Sequence, residues 1–279
     1  MKTILFIVLH SLLTVVHAQT RESGRTEYGR TTCDDVKRVL DRLFIYVDKA
    51  TPFAIVDRIS QKNLTTLSKP VKSASLVKSE YSIVSHEWGL VYAGMLLSAN
   101  STGDSRFRNY VKSRFDFLAI AAPYFRAYSV AFPQEMNPME HFLEPRTLDD
   151  TGSMSAAIIQ ALRAGIAIEL RPEAERSIRF ITTEVHRLSD GTFARTRPFP
   201  NTVWVDDLYQ GIPALAQMGK LTGDQKYFDE AVQQVFQFTE KLFDKDINVS
   251  MHAWVEGMEP HPAFYWARAN GWAILAVAA

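Results

Sequence analysis

The chain has 279 residues, 31 Lys and Arg against 31 Asp and Glu, and 47% hydrophobic residues. That balance excludes a disordered polyelectrolyte, which pairs low hydrophobicity with high net charge. It also excludes a basic protein that holds nucleic acid by bulk charge. One cysteine, Cys33, excludes a disulfide framework and a cysteine-based zinc site within one chain.

The first segment reads as a signal peptide, residues 1–18. Lys2 supplies the positive end, Ile4 to Leu13 is mostly apolar, and Val16 and Ala18 stand at the −3 and −1 positions before Gln19. No later segment has the ~20 unbroken apolar residues of a membrane span. A secreted or periplasmic protein is expected, with no membrane association after leader removal. Residues 19–279 then form a single domain. Three sequons, at Asn63, Asn100 and Asn248, would matter only in a host that glycosylates.

Apolar residues recur at helical spacing through most of the chain. Trp88, Val91, Tyr92, Met95 and Leu96 form one stripe. Met154, Ala157, Ile158, Ala161, Leu162 and Gly165 form a second, and Phe228, Val232, Val235 and Leu242 a third. No long segment alternates with a period of two, so an all-α fold without a large sheet is predicted. Pro213 implies that the helix after Asp207 starts late or is kinked.

Two stretches repeat as helix, Thr-Gly-Asp, helix: Thr102-Gly103-Asp104 and Thr222-Gly223-Asp224. Each reads as an αα-hairpin, the glycine taking a left-handed turn and the aspartate capping the next helix. Polar residues introduce small-apolar helices at Glu87, Asp150, Asp207 and Arg268, in steps of 63, 57 and 61 residues. A period of about 60 signals an array of supersecondary units. Closed into a ring, such units would bring those polar residues together at one rim. Six units need about 360 residues, so the array is expected to be open and incomplete at the C-terminus. The last stretch, GWAILAVAA, agrees, since it carries no glycine cap, basic last turn or proline stop.

Four clusters carry candidate chemistry: His86-Glu87-Trp88-Gly89, Leu148-Asp149-Asp150-Thr151-Gly152, Trp204-Val205-Asp206-Asp207, and Trp266-Ala267-Arg268-Ala269-Asn270-Gly271-Trp272 with His252 upstream. Singly, each has a plain structural reading: an Asp before an apolar helix is usually a cap worth ~1 kcal/mol. Together they offer acids for proton transfer, a guanidinium fork for a carboxylate, and indole faces for a sugar ring. That combination suits an acidic carbohydrate. There is no HExxH, phosphate loop or GxSxG motif, and the histidines are scattered, so neither a metal nor a cofactor is expected.

The segments LDDTGSMSAA, LSDGTFARTRP, WVDDLYQGIPALAQM and FYWARANGWA resemble the motifs of the unsaturated rhamnogalacturonyl hydrolases. These six-hairpin glycosidases form glycoside hydrolase family 105, close to the unsaturated glucuronyl hydrolases of family 88. The resemblance runs from about Glu87 to the last residue. It implies an (α/α)6 six-hairpin barrel, in agreement with the period. It also implies a substrate with a terminal C4=C5 unsaturated uronic acid, left by a polysaccharide lyase. An aspartic acid protonates C4, water adds at C5, and the hemiketal opens to release the neighbouring sugar. Such an acid should have a raised pKa, from partial burial or a second carboxylate.

By this resemblance Asp206 matches the proton donor, and Asp207 is a cap or support. Asp150 matches the second family aspartate, with Asp149 as the alternative. Arg268 matches the arginine of a WGRGNGW-like motif and contacts substrate. Trp266 and Trp272 stack on or wall the uronate ring, and Trp204 and His252 complete the binding set. Arg195 and Arg197 add positive charge near the substrate carboxylate, and Trp88 belongs to the core. Ala267 and Ala269 stand where the motif has glycines, which is tolerable unless those positions need positive φ. The implied partner is an unsaturated uronyl oligosaccharide, from rhamnogalacturonan or, alternatively, from glucuronyl polymers such as ulvan or glycosaminoglycan. A non-catalytic carbohydrate-binding relic of the fold is the reading from a different class.

Overall fold

The computed structural model describes residues 29–261 and 264–279. The leader expected at residues 1–18 lies outside them. The chain divides into two compact units, Met1–Tyr46 and Val47–Ala279, with the boundary inside the first helix among the described residues. That helix, α1 (Cys33–Ala50), begins with a reciprocal cap. Thr32 donates to Asp35 Oδ2 from N at 2.9 Å and from Oγ1 at 2.6 Å, and Asp35 N donates to Thr32 Oγ1.

The second unit continues with a small antiparallel pair, β1 (Ile55–Asp57) and β2 (Ala74–Leu76), and then with helical hairpins. In order these are α2 (His86–Thr102), α3 (Ser105–Ala131), the short α4 (Glu140–Leu143), α5 (Leu148–Arg163) and α6 (Arg171–Thr183). After β3 (Thr202–Trp204) come α7 (Val205–Thr222) and α8 (Gln225–Leu242). The two-residue strands β4 (Phe243–Asp244) and β5 (Val249–Ser250) pair with each other, β6 (Ala253–Val255) pairs back to β3, and α9 (Ala267–Val277) follows. The strands form only two-stranded ladders among the described residues, as the absence of long alternation predicts.

The helices pack in two rows. α2 lies against α5, α5 against α7, and α7 against α9, while α3, α6 and α8 back onto α2, α5 and α7. This is the hairpin array expected from the 60-residue period. The inner helices α5 and α7 are buried on nearly every side, whereas α6 and α8 bury one stripe and face water on the other.

Both Thr-Gly-Asp turns fold alike. Gly103 has φ 71° and Gly223 φ 75°, and their N–H groups donate to Ala99 O and Gly219 O. Asp104 then accepts from Arg106 N at 3.0 Å, and Asp224 from Lys226 N at 3.1 Å. The inner row depends on close backbone approach. A Cβ on Gly89 would lie 2.5 Å from Met154 N, and one on Gly152 only 2.0 Å from Gln210 O. Across the same contact Ser153 N donates to Gln210 Oε1 at 2.9 Å, and Ser153 Oγ donates to His86 O at 2.6 Å.

Three expectations need adjustment. Of the two readings of Pro213 the late start does not hold, since the helix after Trp204 starts at Val205 and runs through Pro213. The buried face of α8 is Ala231, Gln234, Phe238 and Leu242, while Val232 is 54% exposed. Gln234 displaces the apolar stripe because its amide serves the turn beneath it. Its Oε1 accepts from Phe193 N and its Nε2 donates to Gly191 O, both at 2.9 Å. Finally, Glu87, Asp150, Asp207 and Arg268 lie within the first turns of α2, α5, α7 and α9 rather than before them. Trp88 is buried in the core, its indole N–H donating to Tyr110 Oη at 2.9 Å, as expected. Asn63, Asn100 and Asn248 are all exposed.

Candidate active site

The N-terminal ends of the inner helices carry the candidate residues, and each is placed by a local device. The strand β3 delivers Trp204 and α7 starts on the next residue, so Asp206 and Asp207 fall in its first turn. His252 is brought beside them by the returning strand. Val205 N donates to His252 O at 3.0 Å, His252 N donates to Phe264 O at 2.8 Å, and Trp204 pairs with Ala253. Asn270, one turn into α9, holds the other end of that segment. It accepts from Ser250 N at 2.7 Å and donates to Ser250 O at 2.9 Å. The asparagine of the Trp-Ala-Arg-Ala-Asn-Gly-Trp motif therefore orients the His252 strand. Ala267 and Ala269 are helical and absent from the positive-φ residues, so alanine is accommodated there.

At the centre, Asp206 Oδ2 lies 3.3 Å from His252 Nδ1, and Asp206 Oδ1 lies 3.9 Å from Arg268 Nη2. The 3.3 Å pair is poorly aligned, and both atoms are buried without a hydrogen-bond partner among the described residues. Buried polar atoms are normally satisfied, so this pair marks a place where a ligand or water belongs. The Arg268 guanidinium lies over Trp266 at 3.8 Å, while its side chain remains 59% exposed. His252 meets Trp266 edge to face at 5.2 Å and Trp204 at 5.1 Å. Asp206, His252, Trp204, Trp266 and Arg268 therefore form one contact cluster.

Trp272 stacks instead on Tyr209, 5.0 Å away, one turn beyond Asp206. Tyr209 escapes a reading of the sequence for charges and tryptophans, although its i+3 spacing from Asp206 signals a shared face. Asp150 sits at the start of α5 and caps it. Its Oδ2 accepts from Arg146 N at 2.9 Å and Thr147 N at 2.8 Å, and its Oδ1 lies 3.3 Å from His141 Nδ1. Asp149 turns toward Arg195, 2.8 Å away. Arg195 also forms a bidentate pair with Asp207, at 2.8 and 2.7 Å, and lies 4.2 Å over the Trp204 ring. Asp207 is thus a support rather than a cap. Arg197 lies on the exposed hairpin beyond and joins His141, His186 and Asp150 around a side cavity of about 540 Å3.

The electrostatics divide the adjacent aspartates. Burial pushes Asp207 up to about 6 against the pull of Arg195, and the charges of Asp149 and Asp206 add to the rise. Burial also acts on Asp206, but His252, Arg195 and Arg268 outweigh it and hold Asp206 below its usual value. The raised carboxyl expected of a proton donor is therefore found next door, on Asp207. Across the site Glu87 is held low as well. Burial opposes this, and the Ser85 side chain, its own backbone and the charges of His86 and Arg268 prevail. Among the described residues no group of three or more His, Cys, Asp or Glu side chains is arranged to hold a metal ion.

Comparison with known proteins fits this arrangement. The sequence profile described as Glycosyl Hydrolase Family 88 matches residues 56–279. The chain is 32% identical over 81 residues to the unsaturated rhamnogalacturonyl hydrolase YesR of Bacillus subtilis (strain 168), covering 29% of this chain and 24% of that protein. Its fold is similar to a possible member of glycoside hydrolase family 105 from Klebsiella pneumoniae subsp. pneumoniae MGH 78578 (TM-score 0.57, 17% identity, 91% of this chain and 62% of that one). It is also similar to a family 105 glycoside hydrolase from C. acetobutylicum ATCC 824 (TM-score 0.53, 20% identity, 77% of this chain and 54% of that one). The chain thus spans less than two thirds of the length of each of these relatives. With the profile matching most of the chain and the inner helices carrying its acids and tryptophans at one end, the chain belongs to glycosyl hydrolase family 88.

Proposed function

We propose that the chain is an exported glycoside hydrolase acting on oligosaccharides that begin with a C4=C5 unsaturated uronic acid, of the rhamnogalacturonan type. The observation that carries this reading is Asp206: a half-buried carboxylate with one buried, unpartnered oxygen beside His252 and facing an exposed guanidinium. The similarity to YesR supports the rhamnogalacturonyl substrate over a glucuronyl one.

In this mechanism Arg268 receives the uronate carboxylate, with Trp266 and Trp272 walling the sugar ring. Asp206 delivers its proton to C4 of the vinyl ether as water adds to C5. The hemiketal so formed opens to a C5 ketone and expels the neighbouring sugar as an alcohol, so the glycosidic oxygen needs no direct protonation by the enzyme. Asp206 is held below its usual value in the free protein by His252, Arg195 and Arg268. A bound uronate neutralises Arg268 and places a negative charge nearby, and both changes raise the Asp206 pKa toward the value a donor requires. His252 orients Asp206, and Asp150 takes hydroxyls of the substrate while capping α5.

The test follows the ultraviolet absorbance of the C4=C5 bond. Protein beginning at Gln19 is given an unsaturated rhamnogalacturonan disaccharide and, in parallel, an unsaturated glucuronyl disaccharide. Absorbance should fall fastest with the first and hardly at all with Asp206→Asn. Binding without any loss of absorbance would leave a saccharide-binding protein in place of an enzyme. Export is checked by sequencing the N-terminus of material from the medium or periplasm, where Gln19 is the expected first residue.

A further inference from the structure

Both α5 and α7 open with an acidic pair, and the proposed reaction uses one member of each. The other two members, Asp149 and Asp207, meet on a single guanidinium. Arg195 donates from Nε to Asp207 Oδ2 at 2.8 Å and from Nη2 to Asp207 Oδ1 at 2.7 Å, and the same Nη2 lies 2.8 Å from Asp149 Oδ2. Its own backbone is fixed to the strand that leads into α7. Arg195 N donates to Thr202 O at 2.6 Å and Thr202 N donates back to Arg195 O at 3.1 Å. Its guanidinium covers Trp204, the residue immediately before α7.

We infer that Arg195 is a positioning residue, which fixes the spacing and aim of Asp150 and Asp206 by clamping their neighbours Asp149 and Asp207 across the α5–α7 junction. This rests on the hydration reading of the site and deepens it.

Three features carry the inference. Adjacent residues in the first turn of a helix are separated by about 100° of rotation, so pinning one fixes the direction of the other. The pin is rigid because an arginine fork bound to a carboxylate by two parallel bonds allows little rotation. The clamp is also an unusual choice for stability alone. Asp207 is 2% exposed, and removing two charges from water offsets most of what their attraction returns. A well-packed apolar contact would hold two helices together as firmly, but it would not set the direction of two carboxylates. Arg195 also contributes positive potential at Asp206, so its removal should be felt in that group's titration.

The experiment uses the full chain after leader removal and compares Arg195→Lys, Arg195→Gln and Asp149→Asn with the wild type. Arg195→Lys keeps the charge and loses the fork. It should cost about a hundredfold in kcat, the cost expected of a misplacement of about an ångström, with KM within about threefold. Arg195→Gln should show the same loss, and its descending limb in kcat/KM should move to higher pH. Asp149→Asn removes one arm of the clamp and should cost about tenfold, serving also if the arginine variants do not fold. A purely structural role predicts a lower Tm with kcat per folded molecule and the pH profile unchanged, and that result overturns the inference. Should the wild type prove inert, the functional reading fails by itself. The inference is then decided by the carbon-13 titration of Asp206 in Arg195→Lys, which keeps the charge and loses the fork: a displaced curve sustains it, and a curve identical to that of the wild type rejects it.

Discussion

The acidic pairs at the starts of α5 and α7 have the same two residues in the same helical turn, and they do different work. Asp150, the second of its pair, caps its own helix through Arg146 N and Thr147 N, while Asp149 turns out to Arg195. In α7 the order is exchanged. Asp207, the second, is buried on Arg195, and Asp206, the first, faces His252 with an oxygen left unpaired. The cap reading natural for any Asp at a helix start is thus right for Asp150 and wrong for both members of the other pair. What distinguishes them is the approach of other elements: the β3–β6 ladder brings His252 over Asp206 in α7, while Asp150 in α5 is taken by its own preceding turn and His141.

That contrast can be broken residue by residue. The largest effect on stability is expected at Asp207. Asp207→Ala leaves the half-buried Arg195 charge with Asp149 but without its bidentate partner, which should cost up to about 3–5 kcal/mol in denaturant unfolding. Asp206→Asn, one residue away, should lower the unfolding midpoint much less, because its oxygen has no hydrogen bond to lose and only its attraction to Arg195 and Arg268 goes. Equal losses at the two positions would remove the distinction. Gly152→Ala comes next. Its Cβ would meet Gln210 O at 2.0 Å, so α5 and α7 must separate, at roughly 1–3 kcal/mol or more. Turnover should fall with it if the spacing of the two pairs matters. Asp150→Ala removes a cap and should cost about 1 kcal/mol.

The smallest signal is in the pH dependence, and its sign separates the neighbours. Asp207 has a folded value of about 6, above its unfolded one, so its contribution to stability is present below about pH 4 and is lost as pH rises through about 6. For Asp206, lowered in the fold, the contribution is present above about pH 4 and is lost as the solution is acidified. Comparing the wild type with Asp207→Asn and with Asp206→Asn between pH 3 and 7 should give difference curves of opposite slope. If a bound uronate raises Asp206, the descending limb in kcat should also lie at higher pH than that in kcat/KM.

What was legible in the sequence was local or periodic. The Thr-Gly-Asp turns show their glycine and their cap within three residues, and both fold as read. The spacing of Glu87, Asp150, Asp207 and Arg268 follows from one hairpin per step, and those residues do stand at the starts of successive inner helices. Contacts made between hairpins left no such trace. Arg195 reads from the sequence as a positive charge near the substrate carboxylate, and its role between two helices shows only where Asp149 and Asp207, 46 and 12 residues away along the chain, converge on it. Gln234 breaks the apolar stripe of α8 for a turn more than 40 residues earlier. Asn270 looks like part of a binding motif, yet its amide holds Ser250 and so the strand that carries His252.

The most direct test of the central claim, that Asp206 drives hydration of the C4=C5 bond, is to run the reaction in deuterium oxide and read the released uronate by NMR at early times. Addition across the double bond predicts one deuterium at C4, a ketone at C5 and a saturated C4–C5 bond, with none of this product from Asp206→Asn. Release of a uronic acid that still contains its C4=C5 bond and carries no deuterium would show direct cleavage of the glycosidic bond and contradict the account.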